Sequence, residues 1–166
     1  MKRVFSSTLA ALILICMPPL LLADEFDQGS KRLGVTLGAG SSFGDDYMIL
    51  GLGGGYFLTR GLEVGLDVQA WLGGDVDIYE TTPTLTYVIT QLGRFKPYVG
   101  ALYKQTYIEN MDDLSAYGGR AGFILDGNGK VYTRIGVVGL QYNDCKESRF
   151  TSCSETYPEF AVMVSL

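Results

Sequence analysis

The sequence contains no histidine, and histidine is the side chain that most often acts as a general base or activates a nucleophile. The most conspicuous pair of acids, Glu63 and Asp67, cannot replace it as a glycosidase pair. Four residues of extended strand separate them by about 13 Å, which exceeds the spacing of the two carboxyl groups in glycosidases. We therefore expect no catalytic residue and no enzymatic activity.

Basic residues are also scarce. The whole chain has 13 lysines and arginines against 18 acidic residues, and all but two of the basic residues lie beyond residue 23. Without Lys2 and Arg3, 11 basic residues face 18 acidic ones, which gives a net charge of −7. A chain this acidic lacks the basic patch of a nucleic-acid-binding protein, so no nucleic-acid partner is expected.

Cysteine is limited to three residues. Cys16 lies in the N-terminal apolar run, and only Cys145 and Cys153 lie in the rest of the chain. In an exported protein an even pair at this short spacing predicts a disulfide that closes a short loop. The alternative is two free thiols.

Long hydrophobic runs are absent after residue 23, so no transmembrane helix is expected. Residues 1–23 have the features of a secretory signal peptide: Lys2 and Arg3 at the start, an apolar run at 10–17, and Ala23 before an acidic stretch. Pro18 and Pro19 shorten the run below the length of a spanning helix, although an uncleaved anchor is the alternative. Residues 24–166 are then one domain.

Two-residue alternation of apolar and polar side chains dominates what remains, together with 22 glycines and 11 tyrosines. The segment GLEVGLDVQAW (61–71) is typical, with leucine and valine on one face and Glu63 and Asp67 on the other. Such alternation predicts β-strands. Eight strands are predicted, at residues 33–41, 47–58, 61–71, 82–90, 97–107, 116–125, 130–142 and 157–166.

The connections between these strands alternate in length. Those at 59–61, 91–96 and 126–129 are short, whereas those at 42–46, 73–81, 108–115 and 143–156 are longer and acidic. Alternating short and long connections indicate an up-and-down meander closed into a barrel, and strands of about ten residues match a tilted membrane span. An all-β, eight-stranded antiparallel transmembrane barrel is the predicted fold.

A soluble barrel of lipocalin type has the same strand number, but it would turn its apolar face inward around a ligand. Here the opposite face carries charges and many glycines, which make a poor ligand cavity. Tyrosines and other aromatic residues also lie near the strand ends, as in the interfacial girdles of membrane barrels. The acids of GLEVGLDVQAW are therefore expected to face inward, and Leu62, Val64, Leu66 and Val68 to face lipid.

Three motifs carry a resemblance to a known family: GGGYFLTRGLEVGLDV (53–68), KPYVGALY (96–103) and the terminal FAVMVSL. The chain resembles the small eight-stranded outer-membrane barrels of Gram-negative bacteria, of the OmpX and OmpA transmembrane-domain type, over residues 31–166. The resemblance implies location in the bacterial outer membrane, with short turns in the periplasm and acidic loops outside. It also implies lipid, lipopolysaccharide and the barrel-assembly machinery as partners, and we expect a monomer.

In that family the assembly machinery reads alternating apolar residues at the C-terminus, usually with a final phenylalanine. Phe160, Val162 and Val164 fit this assembly signal, and Leu166 stands in the last position.

A network of charges is predicted inside the barrel, because an unpaired buried charge is costly. From their depth along the strands, Asp67 is expected to pair with Arg120, Glu159 with Lys104, and Glu63 with Arg32 or Arg134. The network either plugs the lumen or acts as a gate for small ions.

The acidic loops at 75–80 and 109–113 have the oxygen ligands that Ca²⁺ prefers, but they lack the spacing of a known calcium loop. Solvated loops without a metal or other cofactor are therefore expected. The predicted role is envelope structure or surface interaction, such as adhesion or host contact. The alternatives are a narrow channel of the OmpW type and a soluble periplasmic ligand-binding barrel. The sequence does not identify an extracellular partner.

Overall fold

A computed structural model describes residues 25–42, 45–109, 111–127, 130–143 and 153–166. The predicted signal peptide, residues 1–23, lies outside the described residues. So does Cys145, and the pairing of Cys145 with Cys153 therefore stays a prediction. The described part of the chain contains no helix long and apolar enough to cross a membrane.

Eight β-strands account for most of the described chain. Their bounds are β1 Lys31–Ser42, β2 Asp45–Thr59, β3 Leu62–Leu72, β4 Ile78–Val88, β5 Phe95–Ile108, β6 Leu114–Asp126, β7 Val131–Tyr142 and β8 Ser154–Ser165. Each strand pairs antiparallel with the next along the chain. Strand β1 also pairs with β8, and the sheet closes into a barrel. The predicted fold class is confirmed.

The two ends of the barrel differ in their connections. At the turn end, the connections at 60–61, 89–94 and 127–130 are short, and Gly61 adopts a positive φ of 78° in the first of them. At the loop end lie the connections at 73–77, 109–113 and 143–153. The predicted long connection at 42–46 is wrong, because β1 and β2 extend to Ser42 and Asp45.

The apolar side chains lie on the outside of the barrel and the charged ones inside, which is the reverse of a soluble barrel. Leu66 is 52% exposed on the outer surface, whereas Glu63, three residues earlier on the same strand, is 3% exposed and faces the lumen. Val64 and Val68 are also exposed, Leu62 is partly exposed, and Asp67 lies inward. The apolar belt therefore faces outward, as an outer-membrane barrel requires.

Strand β4 begins at Ile78, four residues before the predicted start. Pro83, the second residue of the predicted strand at 82–90, therefore lies well inside β4, opposite Leu66. The β4–β5 ladder skips residues 82 and 83, because proline has no N–H to donate and is tolerated where a ladder is interrupted. The early start has a consequence for the lumen, since it moves Glu80 from a predicted loop into the barrel.

The predicted aromatic girdles are partly wrong. Tyr79, Tyr107 and Tyr117 are exposed on the outer surface as expected. Tyr47, Phe57 and Tyr98 are instead buried in the lumen. Aromatic content alone did not determine the face, because aromatic residues suit both the lipid interface and a packed interior.

Candidate functional site

The turn end of the lumen is filled by apolar and aromatic side chains. The segment before β1 folds back into it and places Phe26, which is fully buried, against the rings of Phe57 and Tyr132 at centroid distances of 5.6 and 5.3 Å. The Lys96 ammonium lies 5.0 Å from the centre of the Phe26 ring. We call this group the turn-end plug; its buried members are Phe26, Phe57, Val88, Tyr98, Ile124, Tyr132 and Met163.

Backbone hydrogen bonds hold the N-terminal segment in the plug. The N–H of Gly29 donates to the carbonyl of Phe57 at 2.9 Å, and the N–H of Gly61 donates to the carbonyl of Phe26 at 2.8 Å. The short connection between β2 and β3 is thereby tied to the segment that precedes β1. Sequence reasoning missed this plug, because an acidic stretch after a signal peptide carries no periodic signal.

A buried ion pair lies next to the plug. Arg32 Nε donates to Glu63 Oε1 at 2.5 Å, and Arg32 Nη1 lies 3.3 Å from the sulfur of Met163. Both charged residues are 3% exposed. Of the two partners predicted for Glu63, the structure brings Arg32 to it.

Two arginines and two carboxylates meet at the middle of the lumen. Arg120 Nη1 lies 3.0 Å from Glu159 Oε1 and 3.4 Å from Asp67 Oδ2, while its Nη2 donates to the Thr86 hydroxyl at 3.1 Å. Arg134 Nη2 lies 2.7 Å from the same oxygen of Glu159. The predicted meeting of Asp67 with Arg120 occurs, and Glu159 is the acid that joins the two arginines.

Tyr98 adds a further contact to this central cluster, since its hydroxyl donates to Glu159 Oε2 at 2.8 Å. Both oxygens of Glu159 are therefore engaged, one by the two arginines and the other by the phenol. A carboxylate with this many donors is well satisfied. The cluster therefore links β5, β6, β7 and β8 across the lumen.

Lys104 does not pair with Glu159, and that predicted pairing is wrong. Its ammonium lies 3.1 and 3.2 Å from the two carboxylate oxygens of Glu80, and 5.1 Å from the centre of the Tyr157 ring. Glu80 is opposite Thr106 in the β4–β5 register, and Lys104 is two residues from Thr106 on the same face, which is within reach of a diagonal pair. Glu80 falls in the predicted connection at 73–81, so the sequence does not predict its pairing with Lys104.

Glycines of β2 make room for the acids of β3. A Cβ placed on Gly53 would collide with the carboxylate of Asp67, and one placed on Gly55 would collide with the carboxylate of Glu63. Gly53 is the register partner of Asp67, and Gly55 is the partner of Gly65, which lies two residues from Glu63 on the same face of β3. The glycines of GLGGG therefore leave space on the inner surface of β2, and the carboxylates of β3 occupy that space.

Above the central cluster, toward the loop end, lies a cavity of about 490 Å³. The charged residues Asp67, Glu80, Lys104, Arg120, Arg134, Glu155 and Glu159 line it, together with apolar and uncharged polar groups. Arg32, Glu63 and the members of the turn-end plug do not line it. The lumen is thus a filled turn-end half below a partly open loop-end half.

At the loop end an aromatic cluster borders the cavity. Tyr47 and Trp71 pack edge to face at 5.8 Å, and the buried side chains of Ile78 and Ile108 join them. Within the described residues no group of three or more histidine, cysteine, aspartate or glutamate side chains is placed to hold a metal ion.

A closed barrel of eight antiparallel strands, apolar outside and charged inside, defines a small outer-membrane β-barrel. Searches of protein families and of curated proteins return no match. Solved structures do match. The N-terminal barrel domain of Pseudomonas aeruginosa OprF shares 18% identity over 84% of this chain and 98% of that one, with a TM-score of 0.63. Neisserial surface protein A shares 16% identity over 82% of this chain and 94% of that one, with a TM-score of 0.54.

The chain has the fold of these small outer-membrane barrels, so the predicted resemblance is confirmed at the level of the fold. The predicted location in the bacterial outer membrane is confirmed on the same ground. The residues of the predicted assembly signal, Phe160, Val162, Val164 and Leu166, are all exposed on the outer surface. Their recognition by the assembly machinery stays a prediction, as do the lipopolysaccharide partner and the monomeric state.

Proposed function

We propose that the protein is a non-enzymatic, non-conducting barrel that supports the envelope and presents its acidic loops as an interaction surface. The turn-end plug supports this proposal most directly. Phe26, Phe57 and Tyr132 are each 1% exposed or less, and the Arg32–Glu63 pair adjoins them. Filled by packed rings and a buried ion pair, this half of the lumen offers no aqueous path for a solute.

The distribution of charge supports the second part of the proposal. Exposed acids concentrate in the loop-end connections: Asp75, Asp77, Glu109, Asp112 and Asp113. Exposed basic residues are found at the turn end: Arg60, Arg94 and Lys130. An acidic surface steers a partner of the opposite charge toward it, so a basic surface is the class of partner that the loops fit.

A narrow channel is the second candidate function, and the loop-end cavity favours it. That cavity ends at the central charge cluster, so conduction requires both the cluster and the turn-end plug to move. We rank the channel second for this reason.

Recordings from planar lipid bilayers test the proposal. Wild-type protein is expected to give no defined conductance steps, and Arg120→Ala is expected to stay silent because the plug remains in place. Phe26→Ala shortens the plug but leaves the central cluster in place and should also stay silent, whereas brief openings are expected from Phe26→Ala/Arg120→Ala, which disrupts both. Regular steps from wild type would contradict the proposal and favour the channel.

The envelope role is tested in a strain that lacks the protein. Loss of the barrel is expected to increase sensitivity to detergent, and the wild-type chain is expected to restore resistance. A variant with Asp75, Asp77, Asp112 and Asp113 changed to asparagine keeps the barrel intact. It should restore detergent resistance but bind a basic partner surface more weakly. A deletion strain as resistant as its parent would count against the structural role.

A further inference from the structure

The seam between β1 and β8 is open along most of its length. Strand β1 pairs with β2 over all 12 of its residues, from Lys31 to Ser42. It pairs with β8 only from Arg32 to Val35, opposite Val162 to Ser165. Both strands continue toward the loop end beyond this short ladder, and the described residues form no further β1–β8 pair there.

The sequence of β8 contains a residue that limits how far this ladder can extend. The N–H of Leu166 donates to Lys31 on β1, and the N–H of Ser165 donates to Lys130 on the other side. Because backbone groups alternate between the two neighbours of an antiparallel strand, and the β7–β8 ladder runs without a shift, the even-numbered residues of β8 face β1. Pro158 is one of these residues, and it has no N–H to donate.

The loop-end cavity reaches this open seam. Its lining includes Thr36 on the inner face of β1 and also Leu37, Pro158 and Phe160. Leu37 and Phe160 belong to the outer belt, with exposures of 67% and 57%. A cavity lined by both lumen and belt residues communicates with the lipid-facing surface through the seam. The turn-end plug closes it below, so it is a side pocket with no second exit toward the turns.

The chemistry of the pocket selects the type of ligand. Its three cations, Lys104, Arg120 and Arg134, are each within 3.2 Å of a carboxylate oxygen. The lining holds four carboxylates against these three cations, so the formal charge of the site is −1 and an anionic head is disfavoured.

Uncharged polar groups lie beside the seam. Thr36 and Gln69 are both register partners of Gly51, and a Cβ on Gly51 would meet both side chains. A hydroxyl and a carboxamide can each donate and accept. The open strand edges also carry backbone N–H and C=O groups that need partners at membrane depth. An uncharged head that both donates and accepts satisfies these groups without disturbing the ion pairs.

We propose that the cavity is a binding site for a single-chain amphiphile with an uncharged hydroxyl or amide head, which enters from the membrane through the open β1–β8 seam. The apolar chain lies between Leu37 and Phe160, and the head lies beside Thr36 and Gln69. The inference relies on the membrane placement of the barrel, but not on whether the lumen conducts.

Photolabelling in lipid vesicles tests the site. The probe is decanol carrying a diazirine next to its hydroxyl-bearing end, and labelled residues are identified by mass spectrometry. Label is expected on Thr36, Gln69 and Phe160. Decanoate that carries the same diazirine is expected to label these residues at least roughly fivefold more weakly, because its carboxylate would enter a site that is already negative. Label spread evenly over the belt, with Leu85 and Val99 labelled as strongly as Phe160, would overturn the proposal.

Closing the seam tests the entrance. In Leu37→Cys/Phe160→Cys the two cysteines lie two residues beyond Val35 and Val162, the last pair of the observed ladder, and oxidation is expected to abolish label on Gln69. The matched control is Leu33→Cys/Val164→Cys, which joins a pair that the ladder already contains and should leave labelling unchanged. Undiminished label on Gln69 after oxidation would contradict entry through the seam.

Pro158→Ala gives a second test that needs no cross-link. It restores the missing donor, so the ladder should extend and labelling of Gln69 should fall. A decylamine probe that labels the pocket more strongly than decanol would refute the uncharged head. Bilayer conductance is measured on the same variants, and it reports on the closed lumen independently of labelling.

Discussion

The two halves of the lumen are built from the same alternating strands, yet they differ in how their charges are held. In the turn-end half, Arg32 and Glu63 form a pair beside packed rings and outside the cavity. In the loop-end half, Lys104 and Glu80 form a pair whose side chains are also less than 10% exposed, but this pair lines the cavity. The first pair is enclosed by side chains, whereas the second borders space that water or a ligand can fill.

This difference decides how much each pair contributes to stability. A buried charge that loses its partner is strongly destabilising when nothing replaces the partner. Water in a polar cavity can take the partner's place, because a site of this size holds several molecules. Similar ion-pair distances therefore do not imply similar energies, and removal of single partners distinguishes the two halves.

The largest effect is expected for Glu63→Ala, which leaves the Arg32 guanidinium charged and unpaired beside the plug. The free energy of unfolding should fall by about 4 kcal/mol. Urea unfolding in lipid vesicles measures it, with the fluorescence of Trp71, the only tryptophan, as the signal.

Asp67→Ala is the matched control on the same strand. Arg120 keeps Glu159 as a partner, so this variant should lose less stability than Glu63→Ala. The double variant Arg32→Met/Glu63→Leu removes both charges and should be more stable than Glu63→Ala alone. Equal losses for Glu63→Ala and Asp67→Ala would show that the turn-end pair is not specially enclosed.

Phe26→Ala is expected to have the next largest effect. Truncation of a fully buried phenylalanine costs about 3 kcal/mol, and it removes the ring on which Phe57 and Tyr132 pack. Unfolding in vesicles should show the loss, and the fraction of protein with the fast gel mobility of a folded barrel should decrease on mild heating. Phe95→Ala is the control, because Phe95 is exposed on the outer belt. A loss no larger than that of the control would mean that the N-terminal segment does not support the barrel.

The contrast also shows what the sequence alone can predict. The two-residue alternation in GLEVGLDVQAW places Glu63 and Leu66 on opposite faces of the strand, and the choice of a membrane barrel puts Glu63 inside. A shift of one residue in this pattern would exchange the two faces for every side chain. Barrel closure followed from the number of strands and the pattern of connections. These features depend on local patterns that are repeated along the chain.

The partners inside the lumen were harder to predict, because they depend on strand stagger. Counting residues from the turns placed Lys104 level with Glu159, but the β4–β5 register brings it to Glu80. The alternation of Thr82, Thr84 and Thr86 in β4 continues back to Glu80, so the sequence does carry a signal for an inward Glu80, but the predicted strand at 82–90 ends before it. Phe26 had no such signal, since its burial depends only on tertiary packing.

Lys104→Met is expected to have an intermediate effect, a loss of about 2 kcal/mol in the free energy of unfolding. The change leaves the Glu80 carboxylate without its cation, but Thr106 remains 3.4 Å away and cavity water can approach, which reduces the penalty of an unpaired buried charge. Urea unfolding in lipid vesicles measures it. Lys104→Met/Glu80→Gln should recover much of the stability. A loss as large as that of Glu63→Ala would remove the distinction between the two halves.

The smallest effect is expected for Asp77→Asn in the connection between β3 and β4. Asp77 is exposed, and exposed charges away from a packed site usually change stability by less than about 0.5 kcal/mol. Asp77 lies only three residues before Glu80, so Glu80→Gln is the matched control. This variant changes a carboxylate to an amide of nearly the same shape inside the lumen. If Asp77→Asn and Glu80→Gln shift the unfolding midpoint equally, Glu80 behaves as a loop residue and the early start of β4 has no energetic consequence. A clear shift for Glu80→Gln alone would show that Glu80 contributes to stability from inside the barrel. That position depends on the four residues by which β4 extends beyond its predicted start.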